Sequence, residues 1–162
     1  MTRGENPGER TEALMPVWDR ISRFCAYQER CTADIKKKLA EWSLTDSKAE
    51  TVIERLAREG FLDDRRFARA FVRGKFRLNQ WGRKKIVYEL RTRQIAEDVI
   101  YEAFSEISED EYSQMIRLLI SKKRSQIKKG KAMNLREKII TFVVGKGFEY
   151  GKVVQVLEED TL

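Results

Sequence analysis

Gly60-Phe61-Leu62-Asp63-Asp64-Arg65-Arg66-Phe67-Ala68-Arg69, running on to Trp81-Gly82-Arg83-Lys84-Lys85, decides how the rest of the chain is read. Gly60 follows a periodic apolar stretch and suits the left-handed conformation that closes a helix. Asp63 and Asp64 then offer carboxylates at the positive end of a new helix. In that helix Phe67, Ala68, Phe71, Val72 and Lys75 fall on one face of a 3.6-residue period. Arg65, Arg69, Arg73 and Arg77 recur every fourth residue on another face. Like charges at i,i+4 disfavour an isolated helix by roughly 0.2–0.5 kcal/mol per pair, so this stripe calls for something acidic across it. The acid belongs either to another part of this chain or to another molecule.

Outward from that stretch the pattern stays helical. Val17 to Leu162 contains no proline, and no segment alternates β-branched residues with a period of two, so the fold class is all-α. Nine helices are expected, with Thr32, Asp46 or Ser47, Ser108 or Glu109, and Asn134 as starts. They recur in threes. Ile35, Leu39 and Leu44 correspond to Ile86, Leu90 and Ile95, and to Ile139, Val143 and Phe148. Each set is followed by a β-branched pair: Val52-Ile53, Val99-Ile100, Val153-Val154. The expected organisation is a flexible tail over 1–16 and three-helix repeats over 17–62, 63–107 and 108–162, in an elongated array.

The chain has 162 residues, 36% of them charged, with a net charge of +7. A basic excess favours polyanions or acidic protein faces as partners. There is no histidine, the usual acid/base and commonest metal ligand. Cys25 and Cys31 have neither zinc-ligand spacing nor the company of a disulfide framework. No apolar run approaches a membrane span, and Met1 to Glu12 is too polar for a signal peptide, so a cytoplasmic location without membrane contact is expected. No glycine-rich phosphate loop, nucleophile–base pair or metal helix occurs, so no catalytic residue, metal or cofactor is expected. Adjacent acids such as Asp63-Asp64 at a helix start read as caps.

Charge is unevenly placed. Asp63 to Ile95 carries 11 Lys/Arg against 3 Asp/Glu; Ala96 to Gln114 carries 7 acids and no base; Met115 to Lys131 carries 7 bases and no acid. The acidic stretch can fold back on the arginine stripe, but it is too small to neutralise both basic blocks. The candidate binding surface is therefore Arg65, Arg69, Arg73, Lys75, Arg77, Arg83, Lys84, Lys85, Tyr88 and Arg91, with Lys122, Lys123, Arg124, Lys128 and Lys129 on a later helix. Lys84, Tyr88 and Arg91 lie at i, i+4 and i+7. Tyr88 is then either a rim residue of the core or a ring held between two cations. Trp81 reads as a packing anchor.

The motif Gly60-Phe61-Leu62-Asp63-Asp64, Arg66-Phe67-Ala68, Gly82, Ile86, Glu89-Leu90 and Ile95 resembles the signature of the RecX regulatory proteins. Arg30, Asp34-Ile35 and Lys38-Leu39 fit its first repeat, and Lys146-Gly147-Phe148 its third. Cys31 stands where that family has Ser, and Gln94 where Gly commonly precedes Ile95. The resemblance implies three tandem three-helix repeats. It also implies a cytoplasmic protein, expected as a monomer, that binds RecA, lies in the groove of the RecA–DNA filament and lowers its ATPase and strand exchange. Single- or double-stranded DNA would be met directly or through the filament. The open alternative is a sequence-nonspecific DNA-binding module independent of RecA.

Overall fold

A computed structural model describes residues 14–127 and 134–159 of the chain. Among them are nine α-helices and no strand: α1 (Met15–Tyr27), α2 (Thr32–Glu41), α3 (Asp46–Arg58), α4 (Asp64–Arg77), α5 (Arg83–Thr92), α6 (Glu97–Ala103), α7 (Glu109–Gln126), α8 (Leu135–Gly145) and α9 (Tyr150–Glu159). A 3-10 turn, Phe104–Glu106, follows α6. The first helix opens at Met15, so Met15 and Pro16 belong to its first turn and not to a tail. A proline there lacks only an N–H that the helix would leave unbonded.

The chain divides into two compact units, Met1–Phe67 and Ala68–Leu162. In the first, Trp18, Ile21 and Cys25 of α1 close over Ile35 and Leu39 of α2 and Val52, Ile53 and Leu56 of α3. Trp18 meets Phe61 edge-on, with centroids 5.9 Å apart. The adjacent acids have separate roles. Asp63 caps its own helix, accepting from the Arg65 and Arg66 N–H groups at 2.9 and 3.0 Å. Asp64 accepts from the Thr32 N–H at 2.7 Å, 32 residues away, and so caps α2. The cap residue of α2 is Cys31, in extended conformation, and Thr32 is already helical. Cys31 and Asp34 form a capping box, with the Cys31 N–H donating to Asp34 at 3.4 Å, and because a thiol is a weak acceptor the distant Asp64 carboxylate reinforces this helix start. Thr45, not Asp46 or Ser47, precedes α3, and Asp46 lies in its first turn where its charge suits the helix dipole.

In the second unit Phe76 stacks on Tyr112 at 5.8 Å and Tyr112 meets Phe148 at 5.0 Å with the rings tilted by 38°, and all three are fully buried. Ser108 caps α7 through the Glu111 N–H. The helix ends at Gln126, so Ile127 lies just past it. The start of α5 is pinned by backbone. Gly82 N–H donates to the Lys146 carbonyl at 2.9 Å, and Lys84 N–H to the Gly147 carbonyl at 3.0 Å. Between them the Arg83 N–H donates to the Tyr112 hydroxyl, which donates in turn to Glu149 at 2.5 Å. The otherwise unbonded N–H groups of α5 are thus met by the carbonyl end of α8 and by a buried tyrosine.

Two local devices recur at equivalent positions. Ser43, Gln94 and Gly147, each with positive φ, precede the anchors Leu44, Ile95 and Phe148. Leu44 and Ile95 each donate back to the anchor five residues earlier at 3.2 Å, which closes the helix end. The second device is a cation laid on a ring. In the first unit Arg20 covers Trp42 at 4.1 Å and Arg30 covers Phe24 at 4.0 Å. Counting from Leu39 and Leu90, those four positions become Phe71, Arg93, Trp81 and Lys75. Arg93 there lies 5.1 Å from Phe71, and Lys75 lies 4.9 Å from Trp81. Cation and ring have exchanged places in both pairs, and the attraction is unchanged by the exchange.

Candidate partner-binding surface

The arginine stripe of α4 meets its own chain along part of its length. Arg73 pairs with Glu106 at 3.0 Å. Arg77 binds both oxygens of Glu111 at 2.8 and 3.3 Å and the Glu106 carbonyl at 3.2 Å. Arg83 pairs with Glu109 and Glu149 and lies 3.9 Å over the Tyr112 ring. Arg91 grips Glu97 through two hydrogen bonds at 2.6 and 3.0 Å. The hydrogen bond from Arg77 holds the Glu111 carboxyl below its ordinary value, and Arg91 does the same to Glu97. Both arginines are pushed up in return.

The candidate surface from sequence is therefore smaller than its full residue set. Arg73, Arg77, Arg83 and Arg91 are engaged by carboxylates of the same chain. Three of those carboxylates, Glu106, Glu109 and Glu111, come from the turn before α7 and its first turn, where acids also suit the helix dipole. Arg69, Lys84, Lys122 and Arg124 are exposed and make no ion pair among the described residues. Arg65 is exposed at the start of α4. Lys75 and Lys85 lie over Trp81 at 4.9 and 4.3 Å. Lys123 lies 5.1 Å from the Phe142 ring. Lys128 and Lys129 lie outside the described residues. Tyr88 is 65% exposed on the outer side of α5, four residues beyond the exposed Lys84, and is not a rim residue of the core.

The signature residues build structure. Leu62, Phe67, Ala68, Ile86 and Leu90 are buried, and Phe61 is half-buried. Gly60 has φ +79°, and a Cβ on Gly82 would lie 2.3 Å from the Gly147 carbonyl. Asp63 and Asp64 are caps. Sequence reasoning did not single out the pairing of Phe142 with Lys146 at 5.7 Å, whose i,i+4 spacing across the end of α8 was the available signal. Their closeness to Lys123 on α7, and that of Lys146 to Gly82, had no local signal.

Helices capped and cored by their own signature, with basic side chains along helix surfaces, define a helical-repeat protein. The model of the second three-helix domain of RecX matches residues 63–103. A protein of Prosthecochloris aestuarii named regulatory protein RecX is 31% identical over 141 residues, covering 87% of this chain and 91% of its own. A Clostridium acetobutylicum protein of the same name is 30% identical over 78% of this chain and 60% of its own. The chain belongs to the RecX family of regulatory proteins. The fold agrees with the crystal structure of RecX from Lactobacillus salivarius, at TM-score 0.84 and 18% identity over 94% of this chain and 99% of that one. It also agrees with a crystal structure of regulatory protein RecX, at TM-score 0.79 and 21% identity over 98% of this chain and 82% of that one.

Proposed function

We propose that the chain is a non-catalytic, cytoplasmic regulator that binds RecA and the RecA–DNA filament and lowers its ATPase, strand exchange and extension in recombination and DNA repair. The observation that carries this reading is its likeness to a protein named regulatory protein RecX along nearly the whole of both chains. We take the repeats over 17–62, 63–107 and 108–162 as the units that lie along the filament. The recurring left-handed residue before each third anchor and the exchanged cation–ring pairs support that division. Within the middle repeat, Arg69, Lys84 and Tyr88 are the side chains best placed to meet a partner, because no carboxylate of the described chain holds them. Tyrosine beside an unengaged cation is typical of residues that dominate binding energy.

Co-sedimentation tests the reading. RecA filaments assembled on single-stranded DNA with a non-hydrolysable nucleotide should carry the protein into the pellet, and Arg69→Glu with Lys84→Glu should reduce that fraction several-fold. Absence from the pellet, or recovery no greater than with DNA alone, would overturn it.

A further inference from the structure

The helix pairs α2–α3 and α5–α6 differ at one position whose side chain can bridge them. On α5, Arg91 follows the anchor Leu90 and reaches Glu97 at the start of α6 through two hydrogen bonds, at 2.6 and 3.0 Å. After the anchor Leu39, the same place on α2 is taken by Ala40. The carboxylate that an arginine would meet there is nonetheless present, and present twice. Asp46 answers Glu97 when counted forward from Leu44 and Ile95. Glu50 answers it when counted back from Val52-Ile53 and Val99-Ile100, because that pair stands one turn further into α3. Between α2 and α3 lies an open cavity of about 290 Å³. Ala40, Leu44, Ala49 and Ile53 give it an apolar lining, and its charged residues are the exposed Asp46, Glu50 and Lys36. Lys36 makes one contact with Glu50 at 3.4 Å, and Asp46 makes no ion pair among the described residues.

We propose that this groove receives an arginine side chain of a partner protein, its stem along the apolar lining and its guanidinium on Asp46 and Glu50. The chain supplies its own template for that occupant, since Arg91 closes the corresponding gap on α5 and α6 with an arginine. Two carboxylates one turn apart suit the planar, five-donor fork of a guanidinium better than the point charge of a lysine. A three-carbon stem is covered by apolar side chains while its charged head stays at the rim. The resident Lys36–Glu50 pair is exposed on both sides, and such pairs contribute little, so an incoming guanidinium displaces it at small cost. Two acids against one base also set this groove apart from the basic faces of the molecule, because an anion would be repelled here.

The test contains neither RecA nor DNA, so failure here and failure of the filament reading are distinguishable. The nitrogen-15-labelled full chain is titrated with the peptide acetyl-Gly-Arg-Gly-amide and followed by its amide resonances. A second titration uses the same peptide with citrulline, which keeps the shape of arginine and lacks its charge. The arginine peptide should move the amides of Ala40, Leu44, Ala49 and Ile53 and half-saturate at about 1 mM. The citrulline peptide should leave them in place. Asp46→Asn with Glu50→Gln should weaken binding about tenfold, the share of one charge-assisted hydrogen bond. Ala40→Arg should lay its own guanidinium in the groove and abolish the response, whereas Ala40→Ser leaves the groove open and should bind as wild type does. Equal shifts with citrulline, shifts confined to the acidic α6, or wild-type binding in Ala40→Arg or in the carboxylate variant would each overturn the proposal. Movement of the groove amides on dilution without peptide would assign the groove to a second copy of the chain and overturn it too. Should the carboxylate variant fail to fold, Ala40→Arg against Ala40→Ser decides alone.

Discussion

Gly82 and Gly147 hold two chain segments closer together than any side chain permits. A Cβ on Gly82 would sit 2.3 Å from the Gly147 carbonyl carbon and oxygen and from the Phe148 nitrogen, all backbone atoms that cannot turn aside. Gly82→Ala must therefore push the start of α5 off the end of α8 and break the Gly82–Lys146 and Lys84–Gly147 bonds. Urea unfolding should show a loss of about 3 kcal/mol, the upper range for inserting a methyl into close-packed structure. A loss below about 0.5 kcal/mol would show that the crossing is loose. Gly60 and its left-handed turn were legible in the sequence because a glycine after a periodic run has few other uses. Gly82 was legible only as part of a motif, because what it must avoid lies 65 residues away in the chain. Ser43, Gln80 and Gln94 also adopt positive φ, and their residue types gave no sign of it.

At the scale of the helix, α4 and the first turn of α5 show which basic residues serve the fold and which remain available. Arg73 and Arg77 face Glu106 and Glu111, whereas Arg69 and Lys84 face no carboxylate of the described chain. Arg73→Glu with Arg77→Glu sets like charges against each other and should lower the urea midpoint. Arg69→Glu with Lys84→Glu should leave the midpoint unchanged while weakening partner binding. Equal stability loss in both pairs would remove the distinction. Sequence disclosed the stripe, its period and its need for acid, but the choice among seven acids depended on where the turn after α6 places α7. The same pairs set a pH response. Unfolded, Glu97 and Glu111 titrate at the ordinary carboxylate value; folded, arginine hydrogen bonds hold both lower. The unfolded chain binds more protons between those two values, so the contribution of these pairs is complete at neutral pH and fades as pH falls through the folded values. Urea midpoints from about pH 7 down to about pH 3 should fall more steeply for wild type than for Glu97→Gln with Glu111→Gln. Parallel curves would contradict the assignment.

For the whole molecule, the all-α class, the nine helices among the described residues and the family were within reach of sequence, because proline-free periodicity and a short motif carry them. The candidate surface was legible only in part, since net charge does not say which cations a chain pairs with itself. Over residues 63–107 the chain pairs much of its arginine, and no carboxylate among the described residues pairs with Arg69, Lys84, Lys75 or Lys85. The reading as a filament regulator implies that one bound copy acts on many RecA protomers. Its most direct measurement is single-stranded-DNA-dependent ATP hydrolysis by RecA, titrated with this protein at fixed RecA and DNA. The account predicts inhibition that is half complete at well below one copy per RecA protomer. Unchanged hydrolysis, or inhibition only when enough protein is present to coat the DNA, would contradict it.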